Sequence, residues 1–263
     1  MTKEQRNTLI VAMTTAFITT FMGSSLNLAI PNIEADLGVG AALVGWVVTA
    51  YMLATSSLNV LAGKIADMKG RRWMIICGIG IFAVASLIAV FSKNIWMLLA
   101  MRLLQGLAAA MIFATNNAIL ISAFPASERG SVLGKSTAAT YIGLSAGPVI
   151  GGFLNGYFGW RSIFLASALL ATAAFVIAVR GLPKKAEHVV EERFDIWGAL
   201  MYFAMILMIL IGLTDLSILK GAWALFAAGI ALRRCSLFTK RSRLHRSSRS
   251  RCSRRTELSC SRT

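Results

Sequence analysis

The chain has 263 residues, 57% of them hydrophobic and only 14% charged, with a mean hydropathy of +0.69. A water-soluble domain carries about 25% charged residues, so a soluble globular protein is excluded and a polytopic membrane protein is implied. The formal net charge of +16 is unevenly placed, +6 over residues 1–232 and +10 over residues 233–263.

A membrane-spanning helix needs roughly 20 mainly apolar residues. Uncharged runs over 8–30, 37–63, 73–92, 103–127, 136–160, 162–179 and 196–214 predict seven spans. An eighth segment, 216–232, leaves only 12 uncharged residues between Lys220 and Arg233, and crosses only if Lys220 snorkels to the interface. The first run follows Lys3 and Arg6 but exceeds the apolar core of a signal peptide, and no Ala-x-Ala cleavage site ends it. It is expected to be retained as span one.

In span one, Thr20, Ser24 and Asn27 fall at i, i+4 and i+7 and form a polar stripe, which ends in Asn27-Leu-Ala-Ile-Pro31. Between spans two and three lies Gly63-Lys-Ile-Ala-Asp67-Met-Lys-Gly70-Arg71-Arg72. Its glycines permit a sharp turn, its four cations favour the cytoplasmic side, and Asp67 can pair with an arginine or a helix N-terminus.

Span four carries a charge, Arg102, within Arg102-Leu-Leu-Gln105-Gly106. A charge inside a span is rare and usually faces a cavity or a partner. Arg102, Gln105 and Asn116 share one helical face. Because Arg102 lies about 10 Å from the helix end at 1.5 Å per residue, a snorkelling role is the alternative to a place in the transport pathway.

Span five contains Gly143-Leu-Ser-Ala-Gly147-Pro148-Val-Ile-Gly151-Gly152. Glycines four apart let two helix backbones approach closely, and Pro148 bends its helix. After span six, Pro183 ends the apolar pattern and residues 182–195 read as a cytoplasmic linker. From Arg233 to Thr263 the chain turns to Arg and Ser, with three of the four cysteines. That tail reads either as a basic arm for nucleic acid or anionic lipid or as an aberrant end of shifted reading frame. The lack of interleaved aromatics favours the second, and no nucleic-acid partner is expected.

With the N-terminus inside, twelve Lys/Arg flank the spans in the cytoplasm against Lys93, Arg161 and Lys220 outside. Gly63, Gly70 and Arg72 recur in spacing as Gly152, Gly159 and Arg161, as two three-span units of opposite topology would require. His188 and His245 lie in the linker and the tail, and neither a nucleophile–base pair nor a metal-ligand spacing occurs, so an enzyme is not expected.

The 63–72 segment resembles the loop between spans two and three of the major facilitator superfamily of secondary transporters. The Arg102 pattern resembles that family's span-four motif, whose arginine is implicated in proton transfer. The Gly143–Gly152 run resembles the motif of its drug:proton antiporters, as does the end of span one. Two spans after the first six suggest the fourteen-span branch of those exporters.

The resemblance covers about residues 1–230 and implies an all-α polytopic helix bundle in the cell membrane. Residues 1–181 would form the six-span half, 182–195 the linker, 196–232 one or two further spans, and 233–263 a disordered tail. The function implied is proton-coupled efflux of hydrophobic or amphipathic small molecules by alternating access, with the proton gradient as energy source and no cofactor. An importer or symporter of the same superfamily, or a non-functional truncated fragment, is the alternative, since a second bundle is needed for full transport.

By the same resemblance, Gly63, Asp67, Gly70, Arg71 and Arg72 latch the inner gate. Asn27, Arg102, Gln105 and Asn116 serve the pathway, and Gly143, Gly147, Pro148, Gly151 and Gly152 form a helix interface. One departure stands out. Met22 occupies a position where those exporters often carry an aspartate, and no acid lies in the middle of the first six spans. Proton coupling then falls to Glu34, Asp36, Asp67 or residues beyond this chain.

Overall fold

The computed structural model describes residues 1–183, 203–206 and 208. The chain divides into two compact units, Met1–Glu192 and Arg193–Thr263. In the second, the described residues are helical. The expected seventh and eighth spans, the rest of the linker and the basic tail lie outside the described residues.

The described residues of the first unit are helical: α1 (Lys3–Ser25), α2 (Ile30–Leu37), α3 (Ala41–Lys69), α4 (Arg71–Val90), α5 (Ile95–Ala123), α6 (Ala126–Phe158) and α7 (Arg161–Gly181). A capping box starts α1. The Thr2 hydroxyl accepts from the Gln5 amide, and the Thr2 amide donates back to the Gln5 side chain. Span one is not one helix. Pro31 has no N–H to return to Asn27, so a 3₁₀ turn over Leu26–Ala29 separates α1 from α2. Taken together, α1 and α2 with that turn form the first of six membrane-length spans among the described residues.

The helices outrun the uncharged runs that predict them. α3 continues past Gly63 through Lys69, α5 begins at Ile95 rather than 103, and α6 at Ala126 rather than 136. At the ends of α3 and α6 charged side chains lengthen a helix beyond its apolar stretch without entering hydrocarbon, and in α5 the charge that interrupts the apolar run, Arg102, lies inside the helix.

The packing follows a simple exchange rule. α1 packs on α6 and α7, α3 on α5, and α4 on α5 and α7. Exchanging the first three spans for the last three turns α3–α5 into α6–α1, α4–α5 into α7–α1, and returns α4–α7 to itself. The spacing repeat read from Gly63, Gly70 and Arg72 has this physical counterpart. At the centre, Ile18, Met22, Ile79, Phe82, Ile112 and Phe164 build the core from α1, α4, α5 and α7. α6 lies at the margin and is the least buried span. From Tyr141 onward its exposed face is largely apolar, with Ile142, Val149 and Phe153, as a surface without water requires.

Candidate functional site

Three regions carry the residues singled out from the sequence. The first is the α3–α4 corner. Gly63 is not part of a turn: it lies inside α3, where an added Cβ would make only ordinary contact with Ala114 at 3.8 Å. The expected loop over 63–72 reduces to one residue, Gly70, which breaks the helix with φ +103°. The first charge after the apolar run, Lys64, does not end the helix.

Across that break, Asp67 Oδ1 accepts from Arg71 Nε at 3.1 Å and from Nη2 at 3.0 Å. Arg72 donates to the carbonyl oxygens of Val179 and Leu182 at the end of α7, both at 3.2 Å. A cavity of about 580 Å³ opens beside this corner, lined by Glu4, Gln5, Asp67, Arg71, Ser122 and Pro183 among others. Gly70→Ala is expected to cost about 1–2 kcal/mol because a Cβ is disfavoured at positive φ, while Gly63→Ala is neutral or mildly stabilising. Thermal melts of the two purified variants check this.

The second region surrounds Arg102 of α5, which is fully buried and faces α3. Its Nε donates to Val47 O at 2.8 Å and its Nη1 to Gln105 Oε1 at 3.0 Å. Gln105 Nε2 continues to the Ser86 hydroxyl at 2.8 Å. The Tyr51 ring lies 4.3 Å from the guanidinium carbon, and the Tyr51 hydroxyl donates to Thr19 O at 2.8 Å. A charge is therefore held in the bundle by a ring face and carbonyl dipoles. Among the described residues, Arg102 Nη2 has no hydrogen-bond partner. Of the two readings given for this arginine, snorkelling is set aside, because its head group turns into the bundle. Tyr51 and Ser86 escape sequence reasoning, since neither shares a helix with Arg102.

Asn116, further along α5, is also buried but meets other helices. Its Nδ2 donates to Ala12 O at 3.2 Å and reaches the Ser136 hydroxyl at 3.3 Å. Asn27 is exposed in the 3₁₀ turn. Arg102 and Gln105 are thus brought together, whereas Asn27 and Asn116 stand apart from them. Met22 is fully buried, and Ser167 of α7 donates its hydroxyl to the Met22 sulfur at 3.3 Å. Position 22 faces the inside of the bundle, where a thioether suits an apolar setting.

The third region is the seam between α1 and α6. Gly143, Gly147 and Gly151 recur every fourth residue and all are buried against α1. A Cβ on Gly143 would lie 2.5 Å from Phe17 O, and one on Gly151 2.5 Å from Ser25 Cβ. Thr20 spans the seam by donating to Thr140 O at 3.0 Å. Pro148 points away from it and is exposed, and Gly152 is at its edge.

Residues 12–233 match the Major Facilitator Superfamily. The chain is 34% identical over 213 residues to the riboflavin transporter RibZ of Clostridioides difficile, covering 81% of this chain and 47% of that protein. It is 30% identical over 210 residues to the cephamycin export protein CmcT of Amycolatopsis lactamdurans, covering 79% and 43%. To the multidrug resistance protein Stp of Mycobacterium tuberculosis it is 30% identical over 207 residues, covering 78% and 38%. The chain spans less than half the length of these relatives.

Among solved structures, the human organic anion transporter MFSD10 shares the fold, with a TM-score of 0.59 and 14% identity over 78% of this chain and 55% of that one. A multi-pass helical bundle and a match across most of the sequence agree, and the chain belongs to the Major Facilitator Superfamily, a family of membrane transporters rather than enzymes.

Proposed function

We propose that this chain is the first half of an exporter that moves hydrophobic or amphipathic small molecules outward in exchange for protons. The observation that carries this reading is the α1–α6 seam. Its glycine run resembles the antiporter motif, and a Cβ at buried Gly143 or Gly151 would meet backbone atoms of α1 within 3 Å. Relatives described as a cephamycin export protein and a multidrug resistance protein support export. One described as a riboflavin transporter keeps a planar metabolite in view as substrate.

In this reading the basic α3–α4 corner faces the cytoplasm, and the Asp67–Arg71 pair latches the inner gate. Arg102 and Gln105 serve the proton path, with Asn27 and Asn116 as further pathway residues. The substrate site lies between this bundle and a second one.

The test uses a full-length version of this chain in a drug-hypersensitive bacterial strain. Accumulation of a fluorescent cationic dye is expected to fall on expression, and to recover when a protonophore collapses the gradient. Dye levels unchanged by expression, or an efflux indifferent to the protonophore, would remove proton-coupled export. Faster uptake of riboflavin instead would favour the importer.

A further inference from the structure

The α6–α7 corner, at the opposite end of the bundle from Asp67, has no part in the reading above. Its residues meet three separate local deficits. Leu28 O lies in the 3₁₀ turn, where its i+3 donor would be Pro31, which has no N–H. Asn155 Nδ2 supplies that donor at 3.3 Å, and Asn155 Oδ1 accepts from Asn32 Nδ2 at 3.1 Å.

Asp36 sits in the last turn of α2, where the helix dipole disfavours an anion. Arg161 Nη1 donates to Asp36 Oδ2 at 2.7 Å, and Trp160 Nε1 donates to the same oxygen at 3.1 Å. Past the end of α4, the carbonyl of Ser92 accepts from Arg161 Nη2 at 3.1 Å. The Arg161 guanidinium carbon lies 4.3 Å from the Trp160 ring, which fixes the fork. The opposite corner carries a related device, with Arg72 at the start of α4 donating to the last carbonyls of α7. α4 and α7 thus cap each other, and the α6–α7 corner also reaches span one through Leu28 and Asp36.

We propose that Asn155, Trp160 and Arg161 form a clasp that binds the 3₁₀ turn and α2 to the α6–α7 corner and to the end of α4. Residues 26–37 then move with that corner as one body instead of fraying from it. The Asp36–Arg161 pair is partly exposed, and such a pair alone protects little. The clasp draws on its combination with the carbonyl, the indole and the asparagine, and it does not depend on export being the direction of transport.

The test is hydrogen exchange by mass spectrometry on the full chain in lipid nanodiscs. Asp36→Asn and Arg161→Gln are each expected to speed exchange across 26–37 by about tenfold, a free-energy change of about 1.4 kcal/mol. The double variant is expected to be no faster than Arg161→Gln alone, and Asn155→Ala to speed exchange at 26–32. Exchange in α5 stays at the wild-type rate. Unchanged rates at 26–37, or fully additive effects of Asp36→Asn and Arg161→Gln, would overturn the clasp.

Should Arg161→Gln speed exchange throughout the bundle, Arg161→Lys replaces it. A lysine keeps the charge but cannot bridge Asp36 and Ser92 together, so about threefold faster exchange at 26–37 is expected. Wild-type protection in that variant would equally overturn the proposal.

Discussion

Alanine at Gly143 or Gly151 is expected to lower the melting temperature of the detergent-solubilised protein by several degrees, while alanine at Gly156 leaves it unchanged. The difference lies in what each new methyl group meets. At Gly143 the nearest atoms include Phe17 O at 2.5 Å and Phe17 Cα at 3.1 Å, and at Gly151 Ser25 Cα at 2.9 Å and Ser25 O at 3.0 Å. Those are backbone atoms, so relief requires separating α6 from α1. Overpacking of that kind costs about 1–3 kcal/mol, and each kcal/mol shifts the melting point by roughly 2–4 °C in a domain of this size.

Gly147 is intermediate. Its methyl meets the Ser24 hydroxyl, which can rotate away at the loss of its bond to Thr20 O, and beyond it Ser24 Cβ at 3.0 Å and Phe21 O at 3.2 Å, looser than the backbone contacts of its neighbours. Gly152 meets only the mobile end of Leu28 at 3.2 Å, and Gly156 meets nothing within 4 Å. A melting series that ignores this order would show that the seam does not set the helix spacing. Transport assays on the full-length variants extend the test. Loss of transport by Gly147→Ala with its melting point kept would mark a moving interface rather than a merely tight one.

Much of this was legible in the sequence, for definable reasons. Span number within the first unit follows from hydropathy, because each span must be apolar over a fixed length. The seam was legible because Gly143, Gly147 and Gly151 lie on one helix, and a four-residue period survives in the linear sequence. Helix ends are not legible from charge alone, as at Gly63, since a long cationic side chain is compatible with a helix near the interface. The partners of Arg102 were invisible: Val47, Tyr51 and Ser86 come from other helices, and no spacing encodes a contact across spans. Asp36 could be flagged as a carboxylate, but not as the partner of Trp160 and Arg161, whose approach depends on how α2 turns after Pro31.

Arg102→Met is expected to fold with stability within about 1 kcal/mol of the wild type and yet to lose transport. The stability expectation follows from burial. A charge inside a bundle carries a desolvation penalty, and an apolar side chain of similar length removes it at the loss of the hydrogen bonds the guanidinium makes. Here those bonds go to Val47 O and Gln105 Oε1, while Nη2 has no hydrogen-bond partner among the described residues. The two effects oppose each other and nearly cancel. Arg102→Ala loses the same hydrogen bonds, lacks the compensating volume and leaves a cavity beside Tyr51, so it is expected to destabilise by about 2–5 kcal/mol. Arg102→Lys keeps the charge but not the fork, and reaches one of the two acceptors.

Comparing the three variants separates scaffold from chemistry. If the guanidinium serves only to tie α3 to α5, transport should track stability, with Arg102→Met near the wild type and Arg102→Ala poor. If its charge serves the proton path, Arg102→Met and Arg102→Ala both fail while only the second is unstable, and Arg102→Lys retains a small fraction of the rate. Melting temperatures and protonophore-sensitive dye efflux, measured side by side on the full-length protein, decide the matter. Wild-type efflux from Arg102→Met would remove Arg102 from the transport pathway and leave it as a buried tie between helices.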